Sequence, residues 1–437
     1  MENLTNSADE VLVDSLSFKL PASGNYVVER RSVTFLAEGS NVYSPDSGVK
    51  IMRFKLNGEN WADPSTFRVM FDVVNDQNDG VKKIRPIGRP HAFFNRLRIS
   101  ARGQVLEDID NFNRVSEMFH ILQTPASRVN DAIEAFGVDP YFQSGTLTET
   151  TAKGFIDMQT VMFKPLCGIL QQTKYIPLRY CPLEFELELT TRDEPIFTSA
   201  DGPLTAANTS DYWHLQNCMV KVDVCTLDNA LDNSYVNHLL SGKSLNMVYN
   251  TFISSIQTLV SADSQVNMSR SLSKMKSVFM TLVKNDMLAG DGTEHFRLFN
   301  CFASPMAANT VHAELTHDQS LEVQKLQLQI GSKIIPEYPI RSHAEAFYSL
   351  RKALGVQANS LHSIDIDGHQ YRTGRFIVGF DTEKLLGLSF TGTNTRNSLM
   401  TMHLKLNAAV PAMNRMHITL LAEQIVEISD TGVQVYD

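Results

Sequence analysis

The chain has 437 residues and a mass of 48.9 kDa, with 43% hydrophobic residues, 20% charged residues, and only 23 Gly and 16 Pro. That composition excludes a disordered or low-complexity chain, and no stretch approaches the ~20 apolar residues that span a bilayer. Lys+Arg of 39 against Asp+Glu of 48 gives a net charge of −9, which argues against a surface coated for nucleic acid.

In chain order, residues 1–25 form an acidic N-terminal arm with no basic n-region and no apolar h-region, so no signal peptide is expected. Strand-like runs follow at 26–36 (YVVERRSVTFL), 49–56 (VKIMRFKL), 66–74 (TFRVMFDVV) and 94–101 (FNRLRISA). Their alternation of apolar and polar residues predicts strands with one face on a core. Segment 111–122 (NFNRVSEMFHIL) places Val115, Met118, Phe119 and Leu122 at helical spacing, and 127–136 is a second helix candidate. Strands are expected again at 154–163, 183–190 (LEFELELT) and 218–227 (CMVKVDVCTL). Between them, 142–153 and 192–211 read as long polar loops, a length that usually marks function or exposed elaboration.

A boundary is expected at about 228–244, dividing a first domain, 26–230, from a second, 231–437. The second domain offers strand runs near 245, at 274–283, 323–330, 371–380, 399–406 and 417–426, with one helix at 342–354. The five cysteines (Cys167, Cys181, Cys218, Cys225 and Cys301) are odd in number and form no CxxC, so they read as small buried hydrophobes. The sequons at Asn3, Asn208 and Asn267 carry no weight without a secretory signal.

The most informative feature is a weak internal repeat. At a constant offset of 229, segment 97–122 lies over 326–351. Leu97 and Ile99 fall on Leu326 and Leu328, Val105-Leu106 on Ile334-Ile335, Ile109 on Tyr338, Met118-Phe119 on Phe347-Tyr348, and Ile121 on Leu350. Each copy reads as strand, tight turn, short strand and amphipathic helix, and an offset near half the chain length points to duplication. The expected fold is therefore all-β: two tandem eight-stranded jelly rolls, each with one prominent inserted helix.

Two jelly rolls on one chain resemble the double jelly-roll major capsid proteins of icosahedral double-stranded DNA viruses, in particular the smaller polinton-like, virophage-like and tailless-phage members. The resemblance is carried by 89–122 (RPHAFFNRLRISARGQVLEDIDNFNRVSEMFHIL) and 165–189 (PLCGILQQTKYIPLRYCPLEFELEL). It implies a structural, non-enzymatic protein of the virion. It also implies a homotrimer whose six barrels form a pseudo-hexagonal capsomer, contacts with neighbouring capsomers, penton proteins and minor or cement proteins, and assembly inside the host cell. It implies no sequence-specific nucleic acid and leaves an internal membrane open. By the same analogy, loops 142–153 and 192–211 would be tower or inter-subunit elements.

Catalytic signatures are missing from the sequence. None of the twelve histidines forms an H-x-H pair, His312 and His317 miss the i, i+4 spacing of zinc helices, and 363–368 (SIDIDG) lacks the acids of a calcium loop. No G-x-S-x-G, Walker A or GxGxxG occurs, and 387–392 (GLSFTG) is followed by no Lys. No metal or cofactor is expected. The competing reading is a two-domain β-sandwich that binds or cleaves carbohydrate. With only Trp61 and Trp213 available for stacking, it has little support.

Charge is segregated. Between 81 and 103 stand Lys82, Lys83, Arg85, Arg89, Arg96, Arg98 and Arg102 with no acid, and Arg96, Arg98 and Arg102 would share a strand face. Glu184, Glu186 and Glu188 alternate with Phe185, Leu187 and Leu189. The two stripes are candidates for mutual neutralisation, within the first barrel or across a subunit contact. Solvated strand faces, or DNA contact for the basic stripe, are the other readings.

Overall fold

The computed structural model describes residues 26–137, 154–199, 204–261, 263–284, 302–304, 325–356, 364, 366–384, 392–405 and 413–436. The N-terminal arm, loop 142–153, Cys301, His312 and His317 lie outside these residues.

In the first half, β1 (Val27–Leu36), β2 (Ile51–Leu56), β3 (Arg68–Asn75), β4 (Phe94–Ala101) and β5 (Gln104–Asp110) precede two helices, α1 (Phe112–Ile121) and α2 (Pro125–Glu134). Then come β6 (Met158–Phe163), the single turn α3 (Gly168–Gln171), β7 (Leu183–Leu189) and β8 (Trp213–Leu227). The pairings β1–β8–β3–β6 build one antiparallel sheet and β2–β7–β4–β5 the other. Apart from the β4–β5 hairpin, neighbours in each sheet are distant in sequence. This is the jelly-roll wrapping of two Greek keys.

The second half repeats it. After α4 (Asn229–Leu240) come β9 (Leu245–Thr258), β10 (Asp263–Met268), β11 (Met275–Lys284), β12 (Lys325–Ile330) and β13 (Lys333–Ile340). They are followed by α5 (His343–Ala353), α6 (Gly368–Thr373), β14 (Val378–Asp381), β15 (Met400–Lys405), β16 (Met413–Ile428) and a final strand β17 (Val433–Tyr436). The sheets are β9–β16–β11–β14 and β10–β15–β12–β13, the first-half orders with eight added to every number.

Local chemistry accounts for these elements. Along β7, Leu183, Phe185, Leu187 and Leu189 are buried and the glutamates between them are not. The β4–β5 hairpin turns on Arg102 and Gly103, both at positive φ (49° and 81°), as a two-residue hairpin with strand-matched twist requires. Arg102 is thus a turn residue and does not continue the Arg96–Arg98 face. Helix α5 opens with a capping box, Ser342 accepting from the Glu345 N–H while Glu345 reaches back to the Ser342 N–H.

Segment 192–211 is less loop-like than its composition suggests. Ile196-Phe197 pairs with Arg85-Pro86, and Ile196, Phe197, Leu204, Thr209 and Ser210 are buried. The anchor is the buried Arg85, whose guanidinium donates to Asn208 O at 2.8 Å and Thr209 Oγ1 at 2.9 Å. A buried guanidinium must be satisfied, so the chain folds back to supply acceptors.

The two hydrophobic cores are joined. The first contains Met247, Tyr249, Phe252, Val426 and Ile428 from the second barrel, and the second contains Met118, Ile121 and Leu122 from α1 of the first.

Candidate interaction surfaces

The barrel–barrel joint is the most elaborately built contact. Helix α1 places Phe119 between Phe252 and Phe279 of the second barrel, with ring centroids 5.1 and 5.2 Å away. Beside it, β5 and α3 of the first barrel lie against β9 of the second. Tyr249 Oη donates to Leu106 O at 2.8 Å. The buried Glu107 accepts from the Gly168 and Ile169 N–H groups at 2.9 and 3.0 Å and also bonds Thr251. Burial pushes the Glu107 carboxyl up to about 7, against the pull of those three hydrogen bonds. Gly168 is required by distance: a Cβ there would stand 1.8 Å from Asn250 O.

None of these residues belonged to the charge stripes. The repeat did single out Phe119, but only as a buried helix position. Glu107 is unreadable from sequence because in β5 (QVLEDID) it is one of three acids, and only the packing of β9 and α3 distinguishes it from Asp108 and Asp110.

The stripes meet on the outer face of β2–β7–β4–β5. Glu186 on β7 lies opposite Arg53 on β2 and Arg98 on β4. The Arg53–Glu186 ion pair measures 2.6 Å and Arg98–Glu186 4.0 Å. Glu188 lies opposite Arg96, and Glu184 lies opposite Lys55 and Ser100. Arg96 turns the other way and grips Asp108 of β5 with two bonds at 2.7 and 2.6 Å, with Asp110 at 3.2 Å. The sign therefore alternates strand by strand: basic β2, acidic β7, basic β4, acidic β5. Arg102, displaced onto the hairpin turn, reaches Asp430 O at 3.4 Å instead. Arg85 and Arg89 are buried and take no part in a surface stripe.

Cross-strand charge pairs are worth about 0.2–1 kcal/mol each, and like charges directly opposite cost a similar amount. Arg98→Glu is thus expected to lower the stability of the first barrel by about 1–2 kcal/mol, counting lost attraction and new repulsion from Glu186 and Asp108. Adding Glu186→Arg should restore only part of it, because Arg53 then faces a like charge. Thermal unfolding in low and high salt measures this, and a single variant indistinguishable from the parent at low salt would refute it.

Among the described residues no group of three or more His, Cys, Asp or Glu is placed to hold a metal ion, and no helix is long and apolar enough to cross a membrane. Cys167, Cys181, Cys218 and Cys225 are free thiols, all buried. Burial pushes the Cys181 and Cys218 thiols up to about 12. Trp61 and Trp213 are both buried, so neither offers a stacking face to a sugar.

No protein-family model matches the chain, and no curated protein matches it. Solved structures do. PBCV-1 VP54, fitted into a reconstruction of the virophage Sputnik, superposes with a TM-score of 0.62 at 10% identity, over 96% of this chain and 99% of that one. The Faustovirus major capsid protein gives 0.58 at 9% identity, over 98% and 94%. The mavirus major capsid protein gives 0.51 at 10% identity, over 98% and 93%. Across nearly its whole length, the chain has the double jelly-roll fold of these viral major capsid proteins.

Proposed function

We propose that this chain is a viral major capsid protein that acts by assembly rather than catalysis. The observation that carries the proposal is the tandem pair of jelly rolls, docked through a glycine-dependent joint and matched end to end by capsid proteins. Two barrels, divided at α4 into 26–230 and 231–437, make one rigid third of a six-barrel tile. Three copies form a pseudo-hexagonal homotrimer that tiles an icosahedral shell with neighbouring capsomers, while penton and minor proteins complete the vertices and seams. The site of action is the virion, assembled inside the host cell. The alternating ladder around Glu186 holds register in the first barrel and distinguishes it from the second, where Gln327, Gln329 and His403 occupy the comparable strands β12 and β15.

Many modest trimer–trimer contacts then give a stable shell through multivalency. The test is native mass spectrometry with negative-stain microscopy of the purified chain. A species near three times 48.9 kDa with a six-lobed outline is expected. A monomer at all concentrations would overturn the reading, as would a dimer that binds glycans.

A further inference from the structure

A cavity of about 300 Å³ lies between α1, α2 and the end of β6, and Phe119 of the barrel joint forms part of its wall. Its charged lining is short of acids. Arg68 is paired with Glu134 at 3.4 Å, and His91 with the buried Glu117 at 2.9 Å. Arg89 and Lys164 also line the cavity, and neither makes an ion pair among the described residues. The remaining acid of the lining, Asp131, is exposed.

Arg89 is only 5% exposed. Of the five N–H donors of a guanidinium, it commits Nη2 to the Arg128 carbonyl of α2, and its Nε is buried without a partner. The hydroxyl of Ser116 on α1, another wall residue, is likewise buried without a partner. Buried polar groups are nearly always paired, so donors left over around one cavity describe what it receives. Here they are a guanidinium, a hydroxyl and the exposed Lys164 ammonium. Partial desolvation, and then the Arg68 charge, pulls that ammonium below its ordinary value, as expected where cations outnumber acids. Phe119, Phe163, Pro165 and Leu166 make another part of the wall apolar.

We infer that this cavity binds a small oxyanion of the phosphate class, free or as a monoester, held by Arg89 and Lys164 with Ser116 donating beside them. Guanidinium and ammonium are the side-chain cations that suit a phosphoryl group, the first as a planar fork and the second as a point charge. A volume of about 300 Å³ stands at the lower end of the range that takes small organic ligands, so the apolar wall has room for the organic half of a monoester. The occupant lies against Phe119, whose ring stands between Phe252 and Phe279 of the second barrel. Binding therefore braces α1, the helix that carries the joint, against α2 and β6. The site is built within one chain, so it stands whether or not the chain assembles.

The test is calorimetric titration of the full chain with inorganic phosphate, adenosine monophosphate and adenosine, in chloride buffer of matched ionic strength. Both anions should bind, and adenosine, which lacks the phosphoryl group, should not. Tighter binding of the monophosphate identifies a monoester as the natural occupant, and equal binding identifies free phosphate. Lys164 is exposed, so Lys164→Gln should unfold at the parent's temperature without phosphate, yet bind it about tenfold more weakly. Arg89→Gln should lose binding altogether, and Lys164→Gln carries the test alone if that variant does not fold. Phosphate at about a hundred times its Kd should shift the parent's folding equilibrium about a hundredfold toward the folded state. The inference is overturned if the parent binds neither anion, if adenosine binds as tightly as its monophosphate, or if Lys164→Gln binds phosphate like the parent.

Discussion

Replacing Gly168 by alanine is expected to uncouple the two barrels. The added Cβ would lie 1.8 Å from Asn250 O, 2.7 Å from Asn250 C and 2.8 Å from Tyr249 Cδ2. Two of those three atoms are backbone, so no rotamer change relieves the clash. Strand β9 cannot yield locally, because it is paired with β16 without interruption from Leu245 to Thr258. Helix α3 cannot retreat alone either, because its first two N–H groups are held by Glu107. The remaining response is separation of β9 from α3 and β5, which breaks the Tyr249–Leu106 hydrogen bond and opens the Phe119 contact. Overpacking usually costs about 1–3 kcal/mol, and a backbone clash this short belongs at or above the top of that range. Calorimetry is expected to show one transition for the parent, its barrels coupled through the shared core, and two for the variant as the barrels melt separately. Gly48→Ala, with nothing within 4 Å of its Cβ, should change nothing. An unsplit transition at the parent's temperature in Gly168→Ala would show that the joint does not depend on this approach.

The division between what the sequence discloses and what it withholds follows the range of the interactions. Strand β7 is legible because LEFELEL alternates perfectly, and α1 and α5 because their apolar residues recur at helical spacing. Strand β10 was invisible. Its residues, DSQVNM, contain only two apolar positions, because it lies at a sheet edge and buries only Val266 and Met268. The repeat aligns the strands, hairpin turns and helices of the two halves, yet it equates Ile109 with Tyr338, one buried and one exposed. Leu97 pairs with Ile109, whereas its counterpart Leu326 pairs with the buried Ile340, because β13 carries a larger bulge than β5 and a constant offset cannot follow it. The basic run between 81 and 103 misled for a related reason. Arg85 and Arg89 look like their neighbours in composition, but Arg85 is buried against Asn208 and Thr209, and Arg89 is buried where its guanidinium donates to Arg128 O of α2. The joint of Glu107, Gly168 and Tyr249 combines residues more than 60 positions apart, and no local pattern announces it.

Glu107 gives the joint a pH dependence whose sign can be stated. Its carboxyl rises from 4.5 in the unfolded chain to about 7 in the folded one, chiefly because burial penalises the charge. Below pH 4.5 the group is neutral in both states and its folded environment carries no penalty. As pH rises, the unfolded chain releases the proton first, so folding stability falls, and the loss is complete once pH passes about 7. The shift corresponds to roughly 3 kcal/mol. His120 acts in the opposite sense. Burial lowers its imidazole from 6.5 to about 3, so its contribution is present above pH 6.5 and is lost as pH falls toward 3. Between pH 4.5 and 6.5 the two slopes oppose each other, and the parent's own stability curve conceals both. The informative quantity is therefore the difference between the parent and Glu107→Gln, in which every other titration cancels. Glutamine keeps one oxygen for the α3 N–H groups, so the variant carries a roughly constant offset. The parent's stability relative to the variant should fall by about 3 kcal/mol between pH 4.5 and 7 and then level off. Parallel denaturation curves across that interval would mean that Glu107 titrates as an ordinary carboxylate, and that the barrels are not held by a strained buried acid.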